Sequence, residues 1–175
     1  MFWILAVIVG VGAAALLTHA AALPNSFHIH RSTNIKAHPE EIFPLINDFH
    51  HWETWSPWEK SDPGIKRIYS GAADGKGAVC EWSGNKNSGR GRMEITESSP
   101  SSRIVLKLDF IKPVAARHIV KFTLLAHGDS TTVTQAMDGK SPYFSRLRGI
   151  FFNSNKMIVE KYEEGLAKLK AIAEK

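Results

Sequence analysis

Cysteine is nearly missing from this 175-residue chain: Cys80 stands alone, which excludes an internal disulfide framework and any metal site built on several thiolates. No activating base adjoins it in the sequence, so it reads as an inert core thiol. The catalytic signatures G-x-S-x-G, H-E-x-x-H and the P-loop are absent. The glycines at 71, 75, 77, 84, 89 and 91 precede strand-like runs, whereas a phosphate loop opens a helix. His28 and His30, and the pair His50-His51, lack the converging ligands zinc requires, so neither a metal nor another cofactor is expected. Asp48, Glu59 and Glu81 are carboxylates without a sequence-evident partner, and no catalytic residue is assigned. Enzymatic activity is left open, with binding favoured. Also lacking is a long Lys/Arg block. The net charge of +5 is spread among interspersed acids, which gives no footprint for nucleic acid.

Charge is missing altogether before Arg31. Residues 1–23 are apolar apart from Thr18 and His19, and Pro24 ends the run. As a helix this segment reaches about 34 Å, enough for a hydrocarbon core of about 30 Å. A cleaved signal peptide is the rival reading, but no basic residue precedes the run and the run exceeds an ordinary h-region. The expectation is a single-pass transmembrane anchor over 1–23, followed by one domain over 24–175. Arg31 and Lys36 flank the span on the C-terminal side alone, and the positive-inside bias then puts the body in the cytoplasm.

The whole chain is 43% hydrophobic and 22% charged, the balance of an ordinary globular protein. Phe27, Ile29, Arg31, Thr33 and Ile35 share one face of a first strand. Pro39-Glu40-Glu41 opens a helix, with acids where the dipole favours them. Pro44 keeps that helix short or bent. Trp52 to Trp58 reads as a second short helix running into a loop. From Ile65 to Gly139, short alternating runs separated by turn residues give an antiparallel meander. Its inward parities are Ala78/Cys80/Trp82, Met93/Ile95, Ile104/Leu106/Leu108/Phe110, Val120/Phe122/Leu124 and Val133/Gln135/Met137. A long helix follows from about Asn153, with Ile158, Tyr162, Leu166, Leu169 and Ile172 on one side.

Six pieces in order carry a family resemblance: His38-Pro39-Glu40-Glu41-Ile42-Phe43, Asp48-Phe49 before Trp52, Trp55-Ser56-Pro57-Trp58, Trp82-Ser83-Gly84-Asn85, Gly89-Arg90-Gly91-Arg92-Met93 and Glu164-Gly165-Leu166-Ala167-Lys168-Leu169-Lys170. Across residues 26–172 the chain resembles the START-like (Bet v 1-like, SRPBCC) superfamily, in its membrane-anchored polyketide cyclase/dehydrase branch. The resemblance implies an α+β helix-grip fold, in which a curved antiparallel sheet wraps a long C-terminal helix over an apolar cavity. It departs from the branch at Gln135, where an aromatic is usual; a polar amide facing inward needs a partner.

Trp55, Trp58 and Trp82 are either rim packing or the border of a pocket mouth, where an indole N–H would orient a polar ligand end. Phe110, Phe122, Gln135 and Met137 complete the expected ligand-binding set, each doubling as core. Between Gly139 and Val159, Lys140, Arg146, Arg148 and Lys156 alternate with aromatics and no acid intervenes. This is either a solvated helix edge or a membrane-surface patch of Arg146, Arg148, Phe151 and Phe152. The leading functional expectation is a membrane-tethered binding protein for a hydrophobic small molecule or lipid. The alternatives are a cyclase/dehydratase-like enzyme and a ligand-free interaction module acting on a membrane partner. Oligomeric state is not legible.

Overall fold

The computed structural model describes residues 2–59, 62–86, 88–151 and 154–175, without the side chains at 5, 6, 9, 148, 151 and 154. Seven strands form one antiparallel sheet: β1 (Ser26–Ile35), β2 (Lys66–Gly71), β3 (Ala78–Ser83), β4 (Arg90–Ser99), β5 (Arg103–Lys112), β6 (Ala116–His127) and β7 (Ser130–Lys140). Their order is β1-β7-β6-β5-β4-β3-β2. The meander from β2 to β7 is sequential, and the chain's first strand returns beside its last. Helix α1 (Phe2–Ala22) precedes β1. Between β1 and β2 lie α2 (Pro39–Asn47), a 3₁₀ turn (Phe49–His51) and α3 (Trp52–Trp55). Helices α4 (Tyr143–Phe151) and α5 (Ser154–Ala173) close the chain. This is the expected α+β helix-grip arrangement, with α4 as an unforeseen separate helix.

Register confirms the inward parities. Tyr69, Cys80, Met93, Leu108, His118, Gly139 and Phe27 fall in successive cross-strand pairs. Ile95, Leu106, Val120, Met137 and Ile29 form the next row. Side chains on one row share one face of the pleat.

Helix α5 lies along β1. The Arg31 guanidinium donates to Glu163 at 2.7 Å, the Lys170 ammonium to the Asn34 carbonyl at 2.8 Å, and the Lys36 N–H to Glu174 at 2.7 Å. Glu163 to Glu174 advances about 16 Å along a helix, and Arg31 to Lys36 advances about the same along a strand. Helix and strand therefore run in step and in the same direction. Carried backward, that match sets the first turn of α5 level with Phe27.

Apolar burial is concentrated at one end. Tyr162, Leu166 and Leu169 of α5 pack with Ile42 and Ile46 of α2, Trp52 and Trp55, and the sheet residues Ile35, Ile95, Ile104, Phe122 and Val133. The indole of Trp52 donates to the Ile46 carbonyl at 2.9 Å, and that of Trp55 to the Leu45 carbonyl at 2.8 Å. Both satisfy carbonyls that the end of α2 leaves without helical partners. Pro44 sits exposed within the nine-residue α2, and the helix is short as expected. Gly165 lets α5 approach the Trp55–Pro57 segment: a Cβ there would come within 3.1 Å of Pro57.

Cys80 is buried on the inner face, and burial pushes its thiol up to about 11. Burial likewise pushes the neighbouring Tyr69 hydroxyl up to about 12. The folded state thus keeps protons that the unfolded chain releases at its ordinary values near 9 and 10. That stabilisation is complete below about pH 9 and is lost as pH rises through the folded values. Urea midpoints should therefore fall between about pH 8 and about pH 10.5, and Cys80→Ala should reduce the fall. Native Cys80 should resist alkylation at the lower pH until the protein is unfolded.

Candidate functional site

The inner face changes character toward the start of α5. Phe27, Trp82, Met93, Leu108, Phe110 and His118 are all only half-buried. In the first two turns of α5, Met157 is exposed and Ile158 half-buried; Tyr162 is the first side chain of the helix, among those described, to be fully buried. The helix therefore covers one end of the concave face and leaves the other as a cleft.

Two glycines shape its floor. A Cβ on Gly91 would lie 2.2 Å from the Trp82 ring, and one on Gly139 would lie 2.2 Å from Nδ1 of His118 and 2.6 Å from the Phe27 ring. The rings therefore lie directly on the backbone. They meet edge-on in sequence: Phe27 to His118 at 5.2 Å, His118 to Phe110 at 5.8 Å, and Phe110 to Trp82 at 5.7 Å between centroids. Such edge contacts suit the ring quadrupoles. A row of four rings thus crosses β1, β6, β5 and β3 along the open end.

Around these strand ends runs an open groove of about 1,090 Å³, whose lining includes Phe27, Phe110, Ala116 and Gly139 beside the outward residues His28, Asp109, Arg117 and Asp138. The outer side is ion-paired. Asp109 meets Arg117 at 2.6 Å and Lys107 at 3.3 Å; Asp138 meets His28 at 2.6 Å and Lys121 at 2.8 Å. Burial opposes ionisation of Asp109, but its basic partners outweigh it and hold the carboxyl low. Hydrogen bonds from Lys121 and His28 lower Asp138.

The expected ligand set divides accordingly. Phe110 lines the groove and Trp82 stands in the ring row, half-buried. Trp55, Phe122 and Met137 are buried core instead, because α2, α3 and α5 press onto that end of the sheet. Trp58 is 39% exposed and stands in neither the core nor the groove lining. Two of the indole N–H groups have partners within the protein. Trp55 is committed to Leu45, and Trp82 donates to the Ser88 carbonyl at 3.1 Å. Gln135, 7% exposed, faces the buried Tyr162 hydroxyl, whose ionisation burial suppresses and Gln135 partly eases. The pair does not close a well-formed hydrogen bond.

Among the membrane-surface residues, Arg146 is committed elsewhere. Its guanidinium donates to the Ala21 and Leu23 carbonyls at 3.0 and 2.6 Å, and the Tyr143 hydroxyl donates to the Leu17 carbonyl at 3.2 Å. A cation is favoured at the negative end of a helix dipole, so Arg146 caps α1. Phe144 is 81% exposed. The side chains of Arg148 and Phe151, and all of Phe152, lie outside the described residues. Helix α1 forms as expected, uncharged and with Phe2, Trp3, Val7 and Val11 exposed. Among the described residues, however, no helix is long and apolar enough to cross a membrane.

The three candidate bases are explained by their neighbours. Glu59 pairs with Arg67 in a largely buried contact, and burial raises its carboxyl. At Asp48, burial opposes ionisation, but hydrogen bonds from His50 prevail and lower the carboxyl. Glu81 is half-buried opposite Ile68 and Arg92. No group of three or more metal-ligating side chains occurs among the described residues. Sequence reasoning missed Phe27, Gly91, His118 and Gly139 as site residues; the signal was His118 on the inward parity of β6.

Fold and cleft define a helix-grip domain with an aromatic, half-open inner face. The sequence profile described as "Polyketide cyclase / dehydrase and lipid transport" matches residues 26–174, and the chain belongs to that family. Curated proteins yield no match. Solved structures are similar in fold. Ginseng major latex-like protein 151 from Panax ginseng has 13% identity and a TM-score of 0.62, covering 86% of this chain and 99% of its own. A protein from Nitrosospira multiformis has 20% identity and a TM-score of 0.61, covering 84% and 96%. The Aha1 dimer from Colwellia psychrerythraea has 17% identity and a TM-score of 0.60, covering 85% and 96%.

The glycine floor gives a direct stability test. Gly91→Ala and Gly139→Ala should each cost about 1–3 kcal/mol through forced ring displacement. Gly149→Ala, in the exposed interior of α4 with open space around its Cα, should be stabilising by up to about 1 kcal/mol. Urea denaturation of the three variants checks the contrast.

Proposed function

We propose that this chain is a membrane-tethered binding protein that holds a hydrophobic small molecule or lipid in the cleft at the start of α5. The observation that carries the reading is the division of the inner face. One end is filled core, whereas at the other Phe27, Leu108, Phe110 and Trp82 are half-buried, and no α5 side chain before Tyr162 is fully buried among those described. Contiguous apolar surface of this kind, in a concave site, is what a hydrophobic ligand covers. Membership of a family described by lipid transport as well as cyclase and dehydrase chemistry supports the same reading.

Tethering rests on α1. Its 21 residues extend about 32 Å, and none is charged. Its C-terminal end adjoins β1, whose first residues line the groove, so a bilayer around α1 lies on the cleft's side of the domain. The basic residues after α1 favour a cytoplasmic body. The enzyme reading has one observation in its favour, a half-buried His118 whose basicity burial lowers. It has no second acid or base hydrogen-bonded to it, which leaves binding the better-supported role.

The full chain should sediment with membranes and remain there through an alkaline carbonate wash, while deletion of residues 2–22 should release it. Native mass spectrometry of the full chain should find a co-purifying apolar molecule, and Phe110→Arg should remove it while circular dichroism stays unchanged. A chain found in the soluble fraction sinks the tether. An unliganded chain, in every preparation, sinks the binding role and favours the interaction module.

A further inference from the structure

His118 occupies the middle of the ring row and is the one polar ring in it. Its two nitrogens have unequal surroundings. Nδ1 has no accessible surface and no hydrogen-bond partner, and it rests on the backbone of Gly139, within 2.2 Å of where a Cβ would be. A bare Nδ1 is already an orphaned acceptor, but a proton on it would add a buried donor pressed against the Gly139 backbone with no acceptor, the worse of the two arrangements. Burial also disfavours the doubly protonated ring, lowering the imidazole below its ordinary value. The remaining form is neutral, with the proton on Nε2. That nitrogen has no protein partner and is not among the buried unpartnered atoms, so its N–H is directed to whatever fills the cleft.

We propose that His118 is the polar anchor of the cleft, donating its Nε2–H to an oxygen acceptor on an otherwise apolar ligand that lies along Phe27, Phe110 and Trp82. The proposal rests on the binding role above and narrows it to a chemical class: an amphiphile bearing a carboxylate or a carbonyl. Most neighbouring donors are engaged. The Trp82 indole is committed to Ser88, and Arg92 and Arg117 of the groove lining are paired with Glu94 and Asp109, whereas Lys140 at the end of β7 is exposed on the groove. No acceptor from the protein occupies the site, since no described residue hydrogen-bonds His118. Tautomer and exposure together thus select for an acceptor and against a donor-only head such as an ammonium.

The test uses the full chain in lipid nanodiscs, with long-range proton–nitrogen spectra of the imidazoles and the Trp82 indole resonance. Without ligand, His118 should show a protonated Nε2 and a bare Nδ1. Oleate, methyl oleate and hexadecane are then added. Trp82 should respond to all three, reporting occupancy, whereas Nε2 of His118 should respond to the two oxygen-bearing probes alone. A response to oleate without methyl oleate identifies the carboxylate as the head; a response to both shows that a neutral carbonyl suffices. His118→Phe should shift the Trp82 response to oleate to about tenfold higher concentration, the worth of one net hydrogen bond, and leave hexadecane unchanged. His118→Gln, which keeps a donor, should recover part of the loss. A protonated Nδ1, or an oleate response at Trp82 with none at His118, overturns the anchor and leaves the cleft standing. Silence at both residues with all three probes overturns the cleft and the anchor together.

Discussion

Two indole hydrogen bonds set the frame on which the remaining packing depends. Trp52 and Trp55 follow α2 closely enough to donate back to its last carbonyls, which folds α2 and α3 into one unit. Their rings then meet Phe122 of β6 edge-on at 6.0 Å each. That contact fixes how far the unit lies over the sheet. With Gly165 giving α5 room beside Pro57, the long helix comes to rest at a defined height above the same end. Desolvating two indole N–H groups without partners would be costly; satisfying them on a helix terminus resolves two shortages at once.

What is gained at that end is withheld from the other. A helix running in step with β1 does not press both ends of the sheet equally, and the rings at the other end rest largely on one another. Gly91 and Gly139 make this tolerable by letting Trp82, His118 and Phe27 lie flat on the backbone, where dispersion contacts replace some of those a helix would supply. The cleft is thus a product of the core's completeness elsewhere.

Much of the fold was legible because it is written in local periodicity. The period-two alternation of β5 holds in the structure, as does the spacing of Tyr162, Leu166 and Leu169. Helix α4 does not stand apart from α5 in apolar spacing, although Ser141-Pro142 before Tyr143 is a recognisable helix start. The site was less legible. His118 alternates inward like Val120, yet its meaning depends on facing Gly139 across β7 and Leu108 across β5, a register no local pattern contains. Trp55 illustrates the converse: an aromatic residue conspicuous in sequence turned out to be core, because its N–H finds Leu45 ten residues back.

The Arg146 cap on α1 ties together parts of the chain that are far apart in sequence. Its guanidinium holds Ala21 and Leu23, its own helix ends at Phe151 and α5 begins at Ser154, and α5 in turn borders the cleft. Force applied along α1 therefore reaches the cleft's rim by two routes, directly through β1 and indirectly through α4.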